Sequence, residues 1–484
     1  MEQFKIDFVD FLLKTTAGKF GEDRSLKNKR LSPHFINIGD FNDGETTAAL
    51  GRFYAHALKN SGVDFDLLYG IPEKGVGLAI AASMELAGLG VNKPWFFTRK
   101  VEKTGGEASN LSQAEKIKGR VVGRAPQDGQ RIAHLDDVFT TGDAKYQAIK
   151  DLNELGTFQH PVLAIAVDRQ EVGIDGVNAI EKYEQDTGTK VVSVLKISEI
   201  YQILKERPDF ARACEMMANY LRVYGTQEAK TAIGVDRSLD QRVIEADKSV
   251  VVACDVESIE HFEELVKQTA DLPGIGGFKV GFELGLAYGL PRVMEAARKH
   301  TNKPVIYDHQ KAATDIPETG KKFARVCKSS GIDTVIFFPE AGPETERAWI
   351  YHALNQGLKV IVGGRMTHPA YAVSEGGFIT DAGALEMYKI AARAGVNNFV
   401  VPGNKPDVIK SVRALIESEG VTPVFYAPGF IAQGGKIDEA TKVAGDSWHA
   451  IVGTAIYASD NMRKAAEAAT SQIVKPVEAK NSGI

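Results

Sequence analysis

Short apolar runs that end in glycine, proline or charge set the rhythm of the first half of the chain. FDLLYGIPEKG (65–75), RIAHLDDVFTTGDA (131–144) and HPVLAIAVDRQEVG (160–173) each read as a buried strand followed by a polar turn. Between them, TTAALGRFYAHALKNSG (46–62) and KYQAIKDLNELG (145–156) space their apolar residues at helical intervals. Strands that alternate with helices predict a parallel sheet whose functional loops leave the strand C-termini. The N-terminus, MEQFKIDFVDFLLKTTAGKFG, mixes acids into its apolar pattern and has no small-residue cleavage site, so it reads as an amphipathic helix rather than a signal peptide. Residues 208–248 are mainly helical and charged, with weak apolar periodicity across YGTQEAKTAIGVDRSLDQ. The join falls in this region: a first domain over 1–228, a linker over 229–244 and a second domain over 245–484.

The second half has a more regular beat. Its strand-like runs are SVVVACD (249–255), GGFKVGFE (276–283), PVIYDH (304–309), DTVIFF (333–338), LKVIVGG (358–364), NFVVPG (398–403), PVFYAPG (423–429) and AIVGTAIY (450–457), mostly separated by helical segments. That arithmetic predicts an α/β fold of the (β/α)8, or TIM-barrel, kind, whose active site sits at the C-terminal ends of the strands. Asp255, Lys279, Asp308, Lys311 and Gln433 fall at those ends. A doubly wound sheet is the alternative arrangement.

Composition sets limits. The 484 residues suit two to four domains at roughly 100–200 residues each. The formal net charge of −5 is spread without a block of one sign, so no nucleic-acid or membrane surface is predicted, and a phosphorylated substrate needs local basic residues. Cys214, Cys254 and Cys327 are far apart and form no CxxC, which argues against a disulfide framework or a structural zinc site and fits a reducing cytoplasm. No run approaches the roughly 20 apolar residues of a membrane span.

The sharpest local signal in the first half is IAHLDDVFTTGDA. A strand ending in two acids, then a Thr/Gly turn that opens a helix, can cradle a monophosphate on backbone N–H groups. Thr140, Thr141, Gly142, Asp143 and Ala144 form that turn, while Asp136 and Asp137 can bind ribose hydroxyls or organise a Mg2+ carried by a pyrophosphate. A plain strand-to-helix turn with a solvated acidic pair has the same local sequence. The neighbouring segments SLKNKRLSPHFINIGDFNDG, LGRFYAHAL, FDLLYGIPEKG, FFTRKVEKTGGEASN and VDRQEVG extend the match, and residues 5–225 resemble orotate phosphoribosyltransferase. The resemblance implies a type I phosphoribosyltransferase fold acting on orotate and phosphoribosyl pyrophosphate with Mg2+. It implies that Lys27 and Lys74 contact pyrophosphate and substrate, that Phe35 packs by the orotate ring, and that Arg169 pairs with the orotate carboxylate. Arg99, Lys100 and Lys103 lie on a Gly-rich loop that in the family reaches a neighbouring subunit, which implies a homodimer or a higher homo-oligomer. Without the resemblance, Lys27 reads as ordinary basic surface and Arg169 as a salt-bridge partner. One position departs: Gly105 stands where the family's loop usually has a His. Lys103 is then left to neutralise the departing pyrophosphate.

In the second half, VIYDHQKAATDIPETG places two acids either side of a lysine just past a strand end. Acids and lysines converging at a barrel mouth suit loss of CO2 from a carboxylate substrate, with a lysine stabilising and then protonating the carbanion. A salt-bridged brace of the barrel mouth has the same spacing. The segments ACD, FKVG, DHQKAATDIPETG, MTHP, VPGNKP, APGFIAQGG and VGTAIY occur in order, and residues 245–475 resemble orotidine 5′-phosphate decarboxylase. The resemblance implies that Asp255 and Lys279 orient the ribose, that Asp308, Lys311 and Asp315 form the catalytic array with Lys311 as proton donor, and that Asp315 serves a partner subunit. It places Thr367 at the pyrimidine ring and Gln433, Gly434 and Gly435 at the phosphate, with Pro428 and Gly429 shaping the loop, and it requires no cofactor. Two departures stand out. The array is Asp-x-x-Lys-x-x-x-Asp, one residue longer on each side than the commoner spacing, and Thr454 stands where a phosphate-gripping Arg usually follows the VG pair. Arg365, in GGRMTHP, is the candidate replacement cation.

Together the resemblances imply that orotate is turned into uridine 5′-monophosphate in two steps on one chain. Two other readings remain at this stage. Related barrels with an Asp-x-Lys-x-x-Asp array act on sugar phosphates with Mg2+. The first domain can also be a degenerate module that binds phosphoribosyl pyrophosphate and only regulates the second, as Gly105 permits.

Overall fold

Parallel strands need crossovers of a dozen or more residues, and both halves of the chain supply them as amphipathic helices. A computed structural model describes residues 2–26, 28–99, 119–239, 241–309, 314–429, 442–471 and 473. It divides into two units, one of Met1–Leu221 with Gly225–Ile233 and one of Arg222–Tyr224 with Gly234–Ile484.

The N-terminal unit opens with a helix, Gln3–Lys14, that buries Phe8, Val9 and Leu12 on one face. A hairpin follows, β1 (Gly18–Ser25) antiparallel to β2 (Leu31–Ile36). The main sheet contains β3 (Leu67–Gly70), β4 (Trp95–Thr98), β5 (Val121–Gly123), β6 (Arg131–Leu135), β7 (Gln159–Asp168) and β8 (Lys190–Lys196) in the order β5-β4-β3-β6-β7-β8. Only the β4–β5 pair is antiparallel. The chain leaves β3 toward β4 and returns beyond it to β6, so the winding reverses between β3 and β6. In open α/β sheets ligands bind at such a switch point, off the strand C-termini. Here Gly70 pairs with Leu135, which sets the turn after β3 beside the acids after β6. Contact is close enough that a Cβ on Gly75 would lie 2.1 Å from the Leu135 carbonyl oxygen.

In the C-terminal unit, β9 (Lys248–Ala253), β10 (Ile275–Val280), β11 (Val305–Tyr307), β12 (Thr334–Phe337), β13 (Lys359–Gly363), β14 (Asn398–Val400), β15 (Val424–Pro428) and β16 (Trp448–Val452) close into an all-parallel barrel. Val251, Ile306, Ile336, Ile361, Val400 and Tyr426, one from each of six strands, meet in one buried cluster, as the inward positions of a filled barrel do. Val243 and Ile244, placed in the linker by the sequence, belong to the same cluster. Residues 229–233, also placed in the linker, are helical within Gln227–Ile233. Both expected strands with long apolar tails end early: β10 stops at Val280 before the helix Phe282–Tyr288, and β16 at Val452 before Thr454–Tyr457. The first turn of each following helix is itself apolar, which a strand pattern cannot separate.

Among the described residues no helix is long and apolar enough to cross a membrane. Gly75→Ala tests the close packing at the switch point. The added methyl meets backbone, which cannot swing aside, and is expected to cost on the order of 3 kcal/mol in a denaturant titration of the N-terminal unit.

Candidate active sites

At the sheet's switch point the two acids sit at the end of β6, and each has its own lysine. The Asp136 carboxylate accepts from the Lys145 ammonium at 2.6 Å and from the Asp137 amide at 2.9 Å. The Asp137 carboxylate pairs with Lys74, from the turn after β3, and accepts from the Val138 amide at 2.7 Å. The Tyr54 hydroxyl donates to the Asp136 carbonyl at 2.7 Å and is itself buried, so the helix Gly44–Asn60 pins the same turn from behind. Burial pushes the Asp136 carboxyl above its ordinary value and Lys145 opposes the rise. The turn continues through Thr140 and Thr141 to Gly142 at φ +85°, and a Cβ there would lie 2.8 Å from the Phe139 ring. The helix Asp143–Asn153 then starts with no side-chain cap, and the Thr141 hydroxyl donates to Asp143 at 2.6 Å. With no side chain capping this N-terminus, its first N–H groups suit an anion.

A second charged group lies where β7 meets the hairpin. Arg169, one residue past β7, donates to Glu171 at 2.5 Å and to the Ser32 hydroxyl on β2 at 3.1 Å. Buried Arg30 donates to the Val172 carbonyl at 2.7 Å. Burial tends to raise the Glu171 carboxyl, but Arg169 and the groups around it win and hold it at about 2. Phe35 lies half-buried on β2. Lys74 and Arg99 are exposed at the ends of β3 and β4, whereas Lys27, Lys100, Lys103 and Gly105 lie outside the described residues.

In the barrel, strand pairing brings three charges together. The Cys254 amide donates to the Lys279 carbonyl and the Asp308 amide to the Val280 carbonyl, so Asp255, Lys279 and Asp308 emerge side by side from β9, β10 and β11. Lys279, only 6% exposed, lies 3.3 Å from Asp255 and 3.3 Å from Asp308. Burial alone would depress its ammonium, but the two carboxylates, Asp308 foremost, outweigh this and raise its pKa. Removing Lys279 would leave two acids facing each other, a loss of roughly 3–5 kcal/mol by analogy with broken buried pairs. Lys311 lies outside the described residues, as do Gln433, Gly434 and Gly435. Asp315 is exposed; its backbone carbonyl accepts from the Thr345 hydroxyl at 2.9 Å, and the next carbonyl, of Ile316, accepts from the Trp349 indole at 3.2 Å. The helix Pro343–Asn355 thus fastens the Asp315 segment, and the exposed Asp315 carboxylate accepts from the Ile316 amide at 2.7 Å.

Past β13, Thr367 is half-buried and its carbonyl accepts from Asn404 at 3.2 Å. Arg365 donates to Asp381 at 2.7 Å and to Glu375 at 3.1 Å, and Lys405 lies 2.6 Å from Glu375. Two cations and two carboxylates cancel, so this cluster offers no net charge to a phosphate. It ties the 373–381 loop to the ends of β13 and β14 instead. Pro428 closes β15, with Gly429 at φ +90° beyond it. Thr454 is exposed, with its hydroxyl 3.1 Å from that of Tyr457.

Sequence reasoning missed Lys145, Tyr54 and Lys405. For Lys145 a signal existed: it shares a helical stripe with Ala148 and Leu152, both buried. A lysine on an apolar stripe beside an acidic pair is a paired lysine. Among the described residues no group of three or more His, Cys, Asp or Glu side chains could enclose a metal ion. The Asp137 carboxylate, whose partner Lys74 is exposed, suits a hydrated Mg2+ that arrives on a polyphosphate and needs only one or two protein carboxylates.

His34, fully buried on β2 with its ring edge-on to Tyr220, is held neutral; burial first and the Arg169 charge second lower its pKa from 6.5 to about 4. His160, hydrogen-bonded to His134 at 2.8 Å, is lowered by burial to about 4 as well. Between pH 6.5 and 4 these two histidines bind more protons in the unfolded chain than in the folded one, so their contribution to stability is lost as the pH drops through that window. His34 contributes on the order of 3 kcal/mol to the fall. Thermal melts from pH 7 to pH 4 should show it, and His34→Phe should make the slope shallower.

The model of the family described as Orotidine 5'-phosphate decarboxylase / HUMPS family matches residues 248–469. Orotate phosphoribosyltransferase of Marinobacter nauticus is 36% identical over 225 residues, covering 46% of this chain and 100% of the relative. That of Klebsiella pneumoniae is 38% identical over 226 residues, with 46% and 100% covered. Among solved structures, orotate phosphoribosyltransferase of Francisella tularensis has 31% identity and a TM-score of 0.39, covering 46% of this chain and 100% of its own. Orotidine 5'-monophosphate decarboxylase of Methanocaldococcus jannaschii, complexed with the inhibitor BMP, has 27% identity and a TM-score of 0.42, covering 47% and 99%. The chain belongs, through its N-terminal half, to the orotate phosphoribosyltransferase family and carries in its C-terminal half the orotidine 5′-phosphate decarboxylase domain, so that it is an enzyme of the last two steps of pyrimidine nucleotide synthesis.

Proposed function

We propose that the two units act in series, with the site residues in the following roles. In the N-terminal unit the turn Thr140–Ala144 holds the 5′-phosphate of phosphoribosyl pyrophosphate, and Asp137 meets the ribose hydroxyls and the accompanying Mg2+. Orotate N1 bonds to C1′ as the C1′–O bond to pyrophosphate breaks, and the N1 proton passes to the departing pyrophosphate or to water. Lys74, Lys103 and their basic neighbours Lys27, Arg99 and Lys100 neutralise the charge that develops on the departing oxygens. Arg169 and Phe35 bind the orotate carboxylate and ring.

In the C-terminal unit the carrying observation is Lys279 held between Asp255 and Asp308 at the barrel mouth. In this reading Asp255 and Lys279 fix the ribose hydroxyls. The substrate carboxylate leaves as CO2 beside Asp308, the electron pair stays on C6, and the Lys311 ammonium delivers the proton there. No step needs a metal. Thr367 meets the pyrimidine, and Gln433 with Gly434 and Gly435 meets the phosphate, with Thr454 as a neutral neighbour. Arg365 serves as a brace of the loop above the site. A homodimer completes the barrel site: Asp315 is exposed, and Phe282, Leu286 and Ile316 are exposed apolar residues, a surface that suits a second copy.

Gly105 favours a second reading, in which the N-terminal unit binds phosphoribosyl pyrophosphate without turning it over. The two separate in a coupled assay of the full chain with orotate, phosphoribosyl pyrophosphate and Mg2+. Wild type is expected to form uridine monophosphate, and Lys311→Ala to accumulate orotidylate with pyrophosphate release intact. Absence of pyrophosphate release from both proteins would select the regulatory reading. EDTA should stop orotate consumption yet leave decarboxylation of added orotidylate unchanged; loss of the second reaction would point instead to the Mg2+-dependent sugar-phosphate barrels.

A further inference from the structure

We propose that Lys145 is a built-in counter-ion that locks Asp136 and positions the phosphate turn, so that of the acidic pair only Asp137 is exchangeable with substrate. The inference rests on reading the N-terminal unit as a phosphoribosyl pyrophosphate site.

The two lysines differ in freedom. Lys145 is 6% exposed, and its ammonium is fully engaged: 2.6 Å from Asp136, donating to the Val138 carbonyl at 2.7 Å and lying 5.7 Å from the Phe139 ring centre. It therefore grips both ends of the Asp136–Phe139 segment. A buried ammonium cannot leave its carboxylate without stranding two charges in a poorly solvated place. Asp136 is equally committed, since one oxygen takes Lys145, the other takes the Asp137 amide, and its carbonyl takes Tyr54. Lys74 is the opposite case. Its side chain is 57% exposed while that of Asp137 is 10% exposed, so Lys74 can turn to solvent without stranding its own charge, and the pair exchanges once an incoming group replaces it at the Asp137 carboxylate. An incoming pyrophosphate offers Lys74 a more highly charged partner. Lys74 then swings to the pyrophosphate and frees an Asp137 oxygen for a ribose hydroxyl or a metal-bound water. One pair is a clamp and the other a switch, although the acids are adjacent in sequence.

Two measurements on the full-length chain test this. In the first, orotate-dependent pyrophosphate release is followed for Asp137→Asn, Asp136→Asn, Lys145→Met and the double variant Asp136→Asn/Lys145→Met, with thermal melts alongside. Asp137→Asn should raise KM for phosphoribosyl pyrophosphate roughly ten- to hundred-fold, with its melt little changed. Asp136→Asn and Lys145→Met should each lower the melting temperature and weaken turnover. The double variant should be less impaired than either single one, because it removes both charges of a pair. If its KM is as high as that of Asp136→Asn and the melt is restored, Asp136 touches substrate and the proposal fails. The second measurement uses wild type and does not depend on the variants folding. Amine acetylation mapped by mass spectrometry should label Lys74 in the free protein and spare it when phosphoribosyl pyrophosphate and Mg2+ are added. Lys145 should stay unlabelled in both states, and labelling of Lys145 in either state overturns the clamp. Wild type that releases no pyrophosphate and shows no protection of Lys74 would instead defeat the underlying reading of the site.

Discussion

Parallel pairing of buried strands is the constraint on which both halves of the molecule depend. A parallel ladder sends each strand out at the same edge and forces a crossover before the next one begins. Loops that leave adjacent strands at the C-terminal edge are therefore neighbours, whatever the distance between them in sequence. In the barrel this puts Asp255, Lys279 and Asp308 on three adjacent strand ends. In the open sheet it sets the turn with Lys74 beside the acids after β6, because Gly70 pairs with Leu135.

What the chain does at those edges is decided by how each charge is paired. Lys279 is buried yet cationic, since two carboxylates outweigh the burial. Lys145 is buried by one carboxylate and a carbonyl. Arg365 is neutralised by Asp381 and Glu375 and spends its charge on holding a loop. Lys74, by contrast, is exposed and free to change partner. A cation's chemical use follows from this more than from its identity. The same residue type serves as brace, clamp or substrate contact according to its burial and its partners.

Much of the architecture was legible in the sequence. The eight barrel strands follow from apolar runs of strand length at regular intervals, and the main elements of the sheet around β3, β6 and β7 follow in the same way. Of the strands that the pattern did not show, β4 and β8 carry short apolar runs, whereas two others lack a signal. β1, GKFGEDRS, is polar and only partly buried; β5 is three residues long; neither has the alternation or the apolar run that marks a strand. The join between the two halves is hard to read for a related reason. Val243 and Ile244 are an isolated apolar pair without periodicity, and only the closed barrel shows that they fill its core.

The sequence by itself determined which residue types stand at the ends of the strands, and with them the two chemistries: acids and a Thr/Gly turn before a helix in one half, acids and lysines in the other. These are local patterns, set by residue spacing along a few turns or one strand. It could not determine who pairs with whom. Lys74 meets Asp137 across 63 positions and Arg169 meets Ser32 across 137, and such partners are chosen by strand order and register. Nor could it tell a locked charge from an exchangeable one. Burial is a property of the packed whole, and only the tertiary structure covers Lys145 while leaving Lys74 in water.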